Sequence, residues 1–256
     1  MTVLRTLVDV LAANGLVTAF AFVGLVVWLS YQVSDRITGG RLHGSAIAIV
    51  VGLVLAGVAG ATTGGSKGIA DFPMLVGVGV LGGAMLRDLA IVATAFGVDF
   101  QVIRRAGLGA VVSLLVGVWG SFVVGAAVAF AFGYRDAVSL TTIGAGAATY
   151  IVGPVTGTAI GASSDVVALS IAAGVVKAIL VMTGTPFVAK SIKLDNPHTA
   201  MIFGGLMGTT SGVAGGLAAT DPRLVPYGAM TATFYTGLGC LLGPSAFYFV
   251  MRALFG

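Results

Sequence analysis

The sequence has little charge, no glutamate and a single cysteine. The low charge and the single cysteine each exclude a kind of structure. Only 9% of the 256 residues are charged, whereas soluble domains carry about 25%, so a water-soluble globular protein is excluded, and a disordered one as well. The single cysteine, Cys240, excludes an intrachain disulfide and a cysteine-based metal cluster. The net charge of +4 comes from scattered basic residues without the basic face that a nucleic-acid-binding protein needs.

Apolar residues and glycine are abundant instead. Hydrophobic residues make up 57% of the chain, the mean hydropathy is +1.07, and 40 residues are glycine. Apolar runs near the length of about 20 residues that a membrane-spanning helix needs occur at Val10–Tyr31, Ser45–Ala61, Met74–Val98, Ala106–Phe132, Asp165–Thr183 and Val225–Met251. Two further apolar stretches, Leu140–Ser164 and Ala200–Ala219, are crowded with Gly, Thr and Ser. The sequence predicts an all-α, polytopic integral membrane protein with about 6–9 transmembrane segments, forming one transmembrane domain over residues 1–256.

The basic loops predict the orientation of the helices. Basic pairs follow the first, third and fifth apolar runs, at Arg36 and Arg41, Arg104 and Arg105, and Lys190 and Lys193. If all three loops are cytoplasmic, the N-terminus lies outside and the segment 140–164 must enter and leave on the same side. The charge distribution therefore predicts a re-entrant element at 140–164 rather than a full span.

Three glycine series of period four each run into an aspartate. They are series 1 (Gly60, Gly64, Gly68, then Asp71), series 2 (Gly153, Gly157, Gly161, then Asp165) and series 3 (Gly204, Gly208, Gly212, Gly216, then Asp221). Such spacing is typical of tight helix packing. Because hydroxyl residues accompany each series, the pattern is also typical of the broken helices that bind ions in transporters. The recurrence of the whole pattern favours the second interpretation and predicts discontinuous helices.

An internal repeat is a further hypothesis. Thr62-Thr63-Gly64-Gly65 of series 1 resembles Thr209-Thr210-Ser211-Gly212 of series 3. Two glycine-interrupted segments in corresponding halves indicate an inverted repeat around a binding site.

Charged residues inside the apolar runs are candidates for function. Arg87 and Asp88 lie in the middle of Met74–Val98, and Lys177 lies in Asp165–Thr183. A charge at the bilayer centre costs roughly 2.5–3.5 kcal/mol on insertion scales and usually faces a protein interior or a water path. The alternatives are that Arg87 and Asp88 neutralise charges on neighbouring helices or lie at an interface between two short pieces of the segment. Lys177 could instead extend towards the end of its helix, and Asp165 could cap a helix. The chain shows no Ser–His–Asp, Walker A or HExxH pattern, so an enzyme is disfavoured.

Several blocks of the sequence resemble a known family. They are GGRLHGSAIAI (39–49), TTGGSKGIADFP (62–73), GGAMLRDLAIVATAFG (82–97), TYIVGPVTGTAIGASSDVVALS (149–170) and MGTTSGVAGGLAATDPRLVPYG (207–228). Together they resemble MadM, the larger subunit of the bacterial two-component malonate/sodium symporter, whose smaller partner is MadL. The resemblance implies sodium- or proton-driven uptake of malonate by a multi-pass protein of the bacterial inner membrane, with a MadL-like subunit as partner and no cofactor besides the coupling ion.

The resemblance supplies the substrate and the coupling ion, but no site residues. The candidate site residues are chosen from the chemistry that malonate and sodium require. Malonate is a small dianion, so its site should offer basic side chains, hydroxyls and N–H donors at helix N-termini. The substrate candidates are Arg87, Lys67, Lys177, Thr209, Thr210 and Ser211. A coupling sodium ion prefers oxygen ligands, for which the candidates are Asp165 with Ser163 and Ser164, then Asp88, and then Asp71 and Asp221; no other metal site is predicted.

Two other functions remain open at this point. A channel-like pore would also use glycine-rich helices, but it should show rings of like charge or a hydrophobic gate. Alternatively, the chain is a structural membrane subunit whose partner carries the substrate site.

Overall fold

A computed structural model describes residues 2–39, 44–65, 67–81 and 100–256. Every regular element in these ranges is a helix, so the prediction of an all-α protein is confirmed. The chain divides into two compact units, unit 1 (Met1–Ala93) and unit 2 (Thr94–Gly256), and each unit is described by itself. A single transmembrane domain over residues 1–256 stays a prediction.

Five segments in the described part of the chain are long and apolar enough to cross a membrane. They are Gly15–Thr38, Gly44–Leu75, Gly107–Ala131, Ser164–Val188 and Pro222–Phe255. Each overlaps one of the spans predicted from hydropathy, which confirms a polytopic membrane protein. A further predicted span, Met74–Val98, lies mostly outside the described residues.

Unit 1 contains two of these spans. Its helices are α1 (Thr2–Ala13), α2 (Gly15–Val33) with a π-helical turn at Ser34–Thr38, α3 (Gly44–Thr63), two 3-10 turns at Gly68–Asp71 and Pro73–Leu75, and α4 (Gly77–Val80). Glycines allow α2 to approach its neighbours, because Gly44 lies against the ring of Tyr31 and Gly77 lies against the backbone of Gly15.

Unit 2 alternates long helices with pairs of short ones. Its helices are α5 (Phe100–Ala131, interrupted at Gly107), α6 (Ala137–Ala148), α7 (Val152–Ile160), α8 (Ser164–Val188), α9 (Pro197–Met207), α10 (Thr210–Ala218), a 3-10 turn at Pro222–Leu224, α11 (Val225–Leu242), a π-helical segment at Gly243–Phe247 and α12 (Tyr248–Phe255). The short helices α6, α7, α9 and α10 have 12, 9, 11 and 9 residues. At 1.5 Å per residue each extends roughly 14–18 Å, about half of the ~30 Å hydrocarbon core.

Helices α6 and α7 form hairpin 1, residues 137–160. Gly153 of α7 lies against Gly146 of α6, and Gly157 lies against Thr142. Residue numbers therefore rise along one helix as they fall along the other, and the chain reverses at tip 1, residues 149–151. The prediction of a re-entrant element at 140–164 is confirmed in its essential feature, since neither arm can cross the bilayer.

Contacts of hairpin 1 fix the directions of the long helices. On α7, Gly153 and Gly157 lie against Ser170 and Val167 of α8, so α7 and α8 run antiparallel. Towards the end of the chain, Gly239 of α11 lies against Val152 of α7, and Gly243 lies against Thr156 one turn later. Helix α11 is therefore parallel to α7 and antiparallel to α8.

Helices α9 and α10 form hairpin 2, residues 197–218. Gly204 of α9 lies against Gly228, and Gly208 lies against the ring of Tyr235, so α9 runs parallel to α11. The next helix, α10, runs parallel to α8, because Gly212 meets Ala178 and Gly216 meets Thr185. Since α8 and α11 are antiparallel, α9 and α10 are antiparallel too, and the chain reverses at tip 2, residues 208–209.

The two hairpins belong to an inverted repeat with an offset of 58 residues. Helix α7 begins at residue 152 and α10 at 210, while α8 begins at 164 and the last candidate span at 222. The same offset relates Lys177 to Tyr235 and Pro186 to Pro244. The repeat therefore relates α7, which carries glycines of series 2, to α10, which carries Gly212 and Gly216 of series 3, although the glycines of the two series do not coincide at this offset. The hypothesis that pairs series 1 with series 3 stays a prediction.

Asp136 caps the first helix of hairpin 1, and this cap gives a pH-dependent prediction. Its carboxylate accepts a hydrogen bond from the backbone N–H of Ser139 at 2.7 Å. Burial raises the pKa of Asp136, but hydrogen bonds from Ser139 outweigh burial, so the pKa is lowered. A lowered pKa means that the cap stabilises the protein above the unfolded pKa of about 3.9 and loses this effect as the pH falls through the folded pKa.

We expect Asp136→Ala to destabilise the purified protein by about 1 kcal/mol at neutral pH, which is typical of a lost N-cap. Thermal unfolding in detergent at several pH values measures the effect. The difference between the variant and the wild type should shrink as the pH falls below the unfolded pKa of about 3.9 and through the lower folded pKa of Asp136. A difference that does not change with pH would contradict a role for the charged cap.

Candidate functional site

Hairpin 2 brings helix termini and hydroxyl groups to its tip. Thr209 is fully buried and caps α10, because its side-chain oxygen accepts the N–H of Gly212 at 3.4 Å. Thr210 and Ser211 follow in the first turn of α10 and are half-buried. The first turn of a helix carries N–H groups without helical acceptors and a partial positive charge. Tip 2 therefore provides hydroxyls and N–H donors of the kind that bind an anion.

Lys177 lies near the middle of α8, and its ammonium group binds three oxygens from three different elements. Its Nζ atom donates to Oγ of Ser121 on α5 at 2.8 Å and to the carbonyl of Ala148, at the end of α6, at 2.8 Å. A longer hydrogen bond of 3.3 Å reaches the hydroxyl of Tyr235 on α11. The ammonium thus connects tip 1 to both neighbouring long helices.

Tyr235 connects this ammonium to tip 2. The side chain is fully buried, and its hydroxyl donates to the carbonyl of Gly117 at 3.1 Å. The tyrosine ring lies where a Cβ atom on Gly208 would be, and Nζ of Lys177 is 5.1 Å from the ring centroid. Gly208 is left-handed, with φ of +71°, and ends α9. Lys177 and Tyr235, which the repeat relates, therefore join the two hairpin tips.

The charge of Lys177 is not matched by an acid in the described part of the chain. Its hydrogen bonds there go to two hydroxyls and one carbonyl, all of them neutral. A cation that is held away from water costs free energy unless a counter-charge approaches it. The arrangement can therefore accept an anion, which would replace one of the neutral oxygens.

The structure brings four of the six predicted substrate residues into one region. Gly212, in the first turn of α10, lies against Ala178, the neighbour of Lys177. The backbone of α8 at Lys177 and the first turn of α10, with Thr209, Thr210 and Ser211, are therefore neighbours. Lys67 is instead an exposed residue of unit 1, where its backbone N–H donates to Asp71 at 2.9 Å. Arg87 lies outside the described residues.

Within unit 2, the predicted cation ligands lie at the two ends of α8. Ser163, Ser164 and Asp165 are exposed at the beginning of α8, and 12 residues along the helix separate Asp165 from Lys177, a rise of about 18 Å. Ser163 occupies the N-cap position and Asp165 the first turn, where a negative charge is favourable. Asp71 lies in unit 1, Asp221 lies at the opposite end of α8, and Asp88 lies outside the described residues.

Asp221 and its neighbours line a cavity of about 580 Å³ at the base of hairpin 2. Charged residues in its wall include Lys190, Lys193, Asp195, Asp221 and Arg223. The Asp221 carboxylate receives two hydrogen bonds from the Arg223 side chain, at 2.8 and 3.0 Å. These bonds lower the pKa of Asp221. The carboxylate is thus already paired with an internal cation.

Sequence reasoning missed Ser121 and Tyr235. Both are neutral polar residues inside apolar runs, and such residues carry little signal because hydroxyls in membrane helices are common. The signal that could have identified Tyr235 is the offset of 58 residues from Lys177, which becomes visible only when the helix boundaries are known.

These features define a class of protein. Two half-membrane hairpins whose tips both contact the Lys177–Tyr235 pair among long apolar helices, in inverted repeats, resemble the broken helices with which secondary transporters bind substrates near the bilayer midplane. The model of one family, the malonate/sodium symporter MadM subunit, matches residues 7–255, and the chain belongs to this family. No curated protein and no solved structure matches the chain. Members of this family are transporter subunits, and the apolar helices show a multi-pass membrane protein. The resemblance found in the sequence is confirmed.

Proposed function

We propose that the chain is the substrate-binding subunit of a symporter that imports malonate across the bacterial inner membrane. It acts with a smaller MadL-like subunit, and uptake is driven by sodium, with protons as the alternative coupling ion. Family membership supports malonate as the substrate and sodium as the ion.

The observation that carries the proposal is the ammonium of Lys177, which lies beside both hairpin tips and which no acid among the described residues matches. One malonate carboxylate binds this ammonium, in a charge-assisted hydrogen bond that is stronger than its present bonds to neutral oxygens. The second carboxylate binds at the N-terminus of α10, with the hydroxyls of Thr210 and Ser211 as additional donors. A dianion is thus recognised by one full charge and one helix terminus.

The coupling cation would offset the second negative charge of malonate. Asp165, Ser163 and Ser164 group three oxygen-bearing side chains at the beginning of α8, where a cation approaching from that side of the membrane first meets them. Asp71, Asp88 and Asp221 remain further candidates, as do Arg87 and Lys67 for the substrate. Because a dianion and a cation attract one another, binding of either favours binding of the other, which is the requirement for symport.

The inverted repeat supports alternating access. Hairpins 1 and 2 approach the centre from opposite sides, and the related residues Lys177 and Tyr235 each contact their own tip. Movement of one hairpin at a time would expose the same malonate site first to one side and then to the other.

A counterflow experiment tests this function. Proteoliposomes that contain both subunits and are loaded with unlabelled malonate should accumulate labelled malonate transiently, and sodium should accelerate the uptake. A carrier shows this acceleration because loaded hairpins return faster than empty ones, whereas a pore does not. Labelled malonate that equilibrates at the same rate with and without internal malonate would contradict a carrier.

A further inference from the structure

Thr156, in the middle of α7, has an unusual hydroxyl group. The residue is fully buried, and in the described part of the chain Thr156 Oγ1 is the buried side-chain polar atom that makes no hydrogen bond. A buried polar atom without a partner costs free energy. Such an atom in a folded protein commonly indicates a bound water or ion.

Other threonines of the same helices behave differently. A hydroxyl in a helix usually donates to the carbonyl four residues earlier. Thr141 does so to Ala137 at 2.6 Å, and Thr142 does so to Val138 at 2.8 Å. Thr156 has the same option, yet its hydroxyl lies against the backbone of Gly243 instead. The hydroxyl is therefore directed towards α11 and the segment that follows it.

The segment that Thr156 faces is a break in the last long helix. Regular α-helix ends at Leu242 and is followed by π-helical turns over Gly243–Phe247. Pro244 lies in this segment and has no N–H to donate to the preceding turn. π-helical segments occur frequently at functional sites. In transporters, carbonyls of irregular helix segments inside the membrane coordinate coupling cations.

The inverted repeat provides an internal comparison. The equivalent proline, Pro186, lies inside regular α-helix that continues to Val188, and the preceding hydroxyl, Thr185, donates to the carbonyl of Val181 at 2.5 Å. Thr185 lies against Gly216 of hairpin 2, as Thr156 of hairpin 1 lies against Gly243. In both places a threonine packs against a glycine of the other element, but the hydroxyl of Thr185 is hydrogen-bonded within its own helix and that of Thr156 is not.

We propose that Thr156 Oγ1, together with backbone carbonyls of the segment Gly243–Phe247, forms a site for a monovalent cation, of which sodium is the best match. Hydroxyl and carbonyl oxygens are the neutral, hard ligands that sodium binds in such breaks. The site lies between α7, the second helix of hairpin 1, and the segment that follows α11. An ion bound there therefore connects hairpin 1 to the end of α11. This assignment rests on the proposed function only in naming sodium as the coupling ion.

The test uses the purified two-subunit complex without malonate. Sodium chloride should raise the midpoint of thermal unfolding relative to an equal concentration of choline chloride, and Thr156→Val should greatly reduce this shift, with any remainder due to the proposed site at Asp165. Thr156→Ser, which keeps the hydroxyl, should retain the shift. Thr141→Val is the matched control, since Thr141 is equally buried but already hydrogen-bonded, and it should leave the sodium shift unchanged.

Transport gives the second measurement. In proteoliposomes, Thr156→Val should raise the sodium concentration for half-maximal malonate uptake at least tenfold and leave malonate affinity at saturating sodium nearly unchanged. A full sodium shift of the unfolding midpoint in Thr156→Val overturns the site. The same result is expected if the Thr156 hydroxyl binds only water. Because the unfolding assay contains no malonate, it can support or overturn this site even if malonate transport itself is not found.

Discussion

Lys177→Gln is expected to lower the affinity of the two-subunit complex for malonate by at least about 30-fold. Removing one partner of a buried charge pair costs about 2–5 kcal/mol, and about 1.4 kcal/mol corresponds to a factor of ten. Glutamine retains a donor for Ser121 and Ala148, so the variant keeps part of the present network while it loses the charge. Equilibrium binding of labelled malonate to the purified complex measures the change.

Lys190→Gln is the matched control for this variant. Lys190 is an exposed lysine just beyond the end of α8, so its replacement removes the same charge away from the hairpin tips. Its malonate affinity should stay within about twofold of the wild type, as expected for a solvated charge. If Lys177→Gln folds normally and binds malonate as tightly as the wild type, Lys177 only ties the hairpins together and the proposed site is wrong.

Gly208→Ala should be the most disruptive change of a single glycine at the hairpin tips. The added Cβ atom would overlap the ring of Tyr235, and the left-handed backbone, with φ of +71°, is unfavourable for alanine. Overpacking costs about 1–3 kcal/mol and left-handed backbone about 1–2 kcal/mol. We expect a large fall in the thermal unfolding midpoint and a loss of malonate uptake, because tip 2 must move away from Tyr235.

Substitutions at two other glycines separate the cost of the left-handed backbone from the cost of overlap with Tyr235. Gly161 has φ of +79° and open space around its Cα atom, and Gly120 has open space within α5. Gly161→Ala should show the backbone cost alone, and Gly120→Ala should be neutral or slightly stabilising. If Gly208→Ala is no worse than Gly161→Ala, the ring of Tyr235 does not limit tip 2. The destabilisation caused by Gly208→Ala and Tyr235→Ala together should be smaller than the sum of the two single effects, because Tyr235→Ala removes the overlap.

The membrane spans could be predicted from the sequence because their signal is strong and local. Long apolar runs bounded by Arg and Lys indicate spans directly, and the position of Lys190 and Lys193 was sufficient to predict a non-spanning element at 140–164. Hairpin 2 and the repeat could not be predicted in the same way. The two repeats share few identical residues. Their helices follow a similar course, but the glycines that allow close packing lie at different positions in each repeat.

The candidate site was partly predictable for a similar reason. A lysine in an apolar run carries a large energetic cost, so Lys177 was identified by its charge alone. Ser121, Thr156 and Tyr235 carry no charge, and their roles depend on which helices pack together. Asp165 was selected because it follows a glycine series. The structure places it at the exposed start of α8, because the helix begins where that glycine series ends.

Protection of a cysteine at position 211 tests the location of the malonate site most directly. Ser211→Cys changes one atom in the first turn of α10, in a background where Cys240 is replaced by serine. In the purified complex, saturating malonate should slow severalfold the reaction of a thiol reagent with the Ser211→Cys variant. It should not change the rate for Ser191→Cys, in the exposed loop after α8. Equal rates with and without malonate, in a complex that binds malonate, would contradict a site between the hairpin tips.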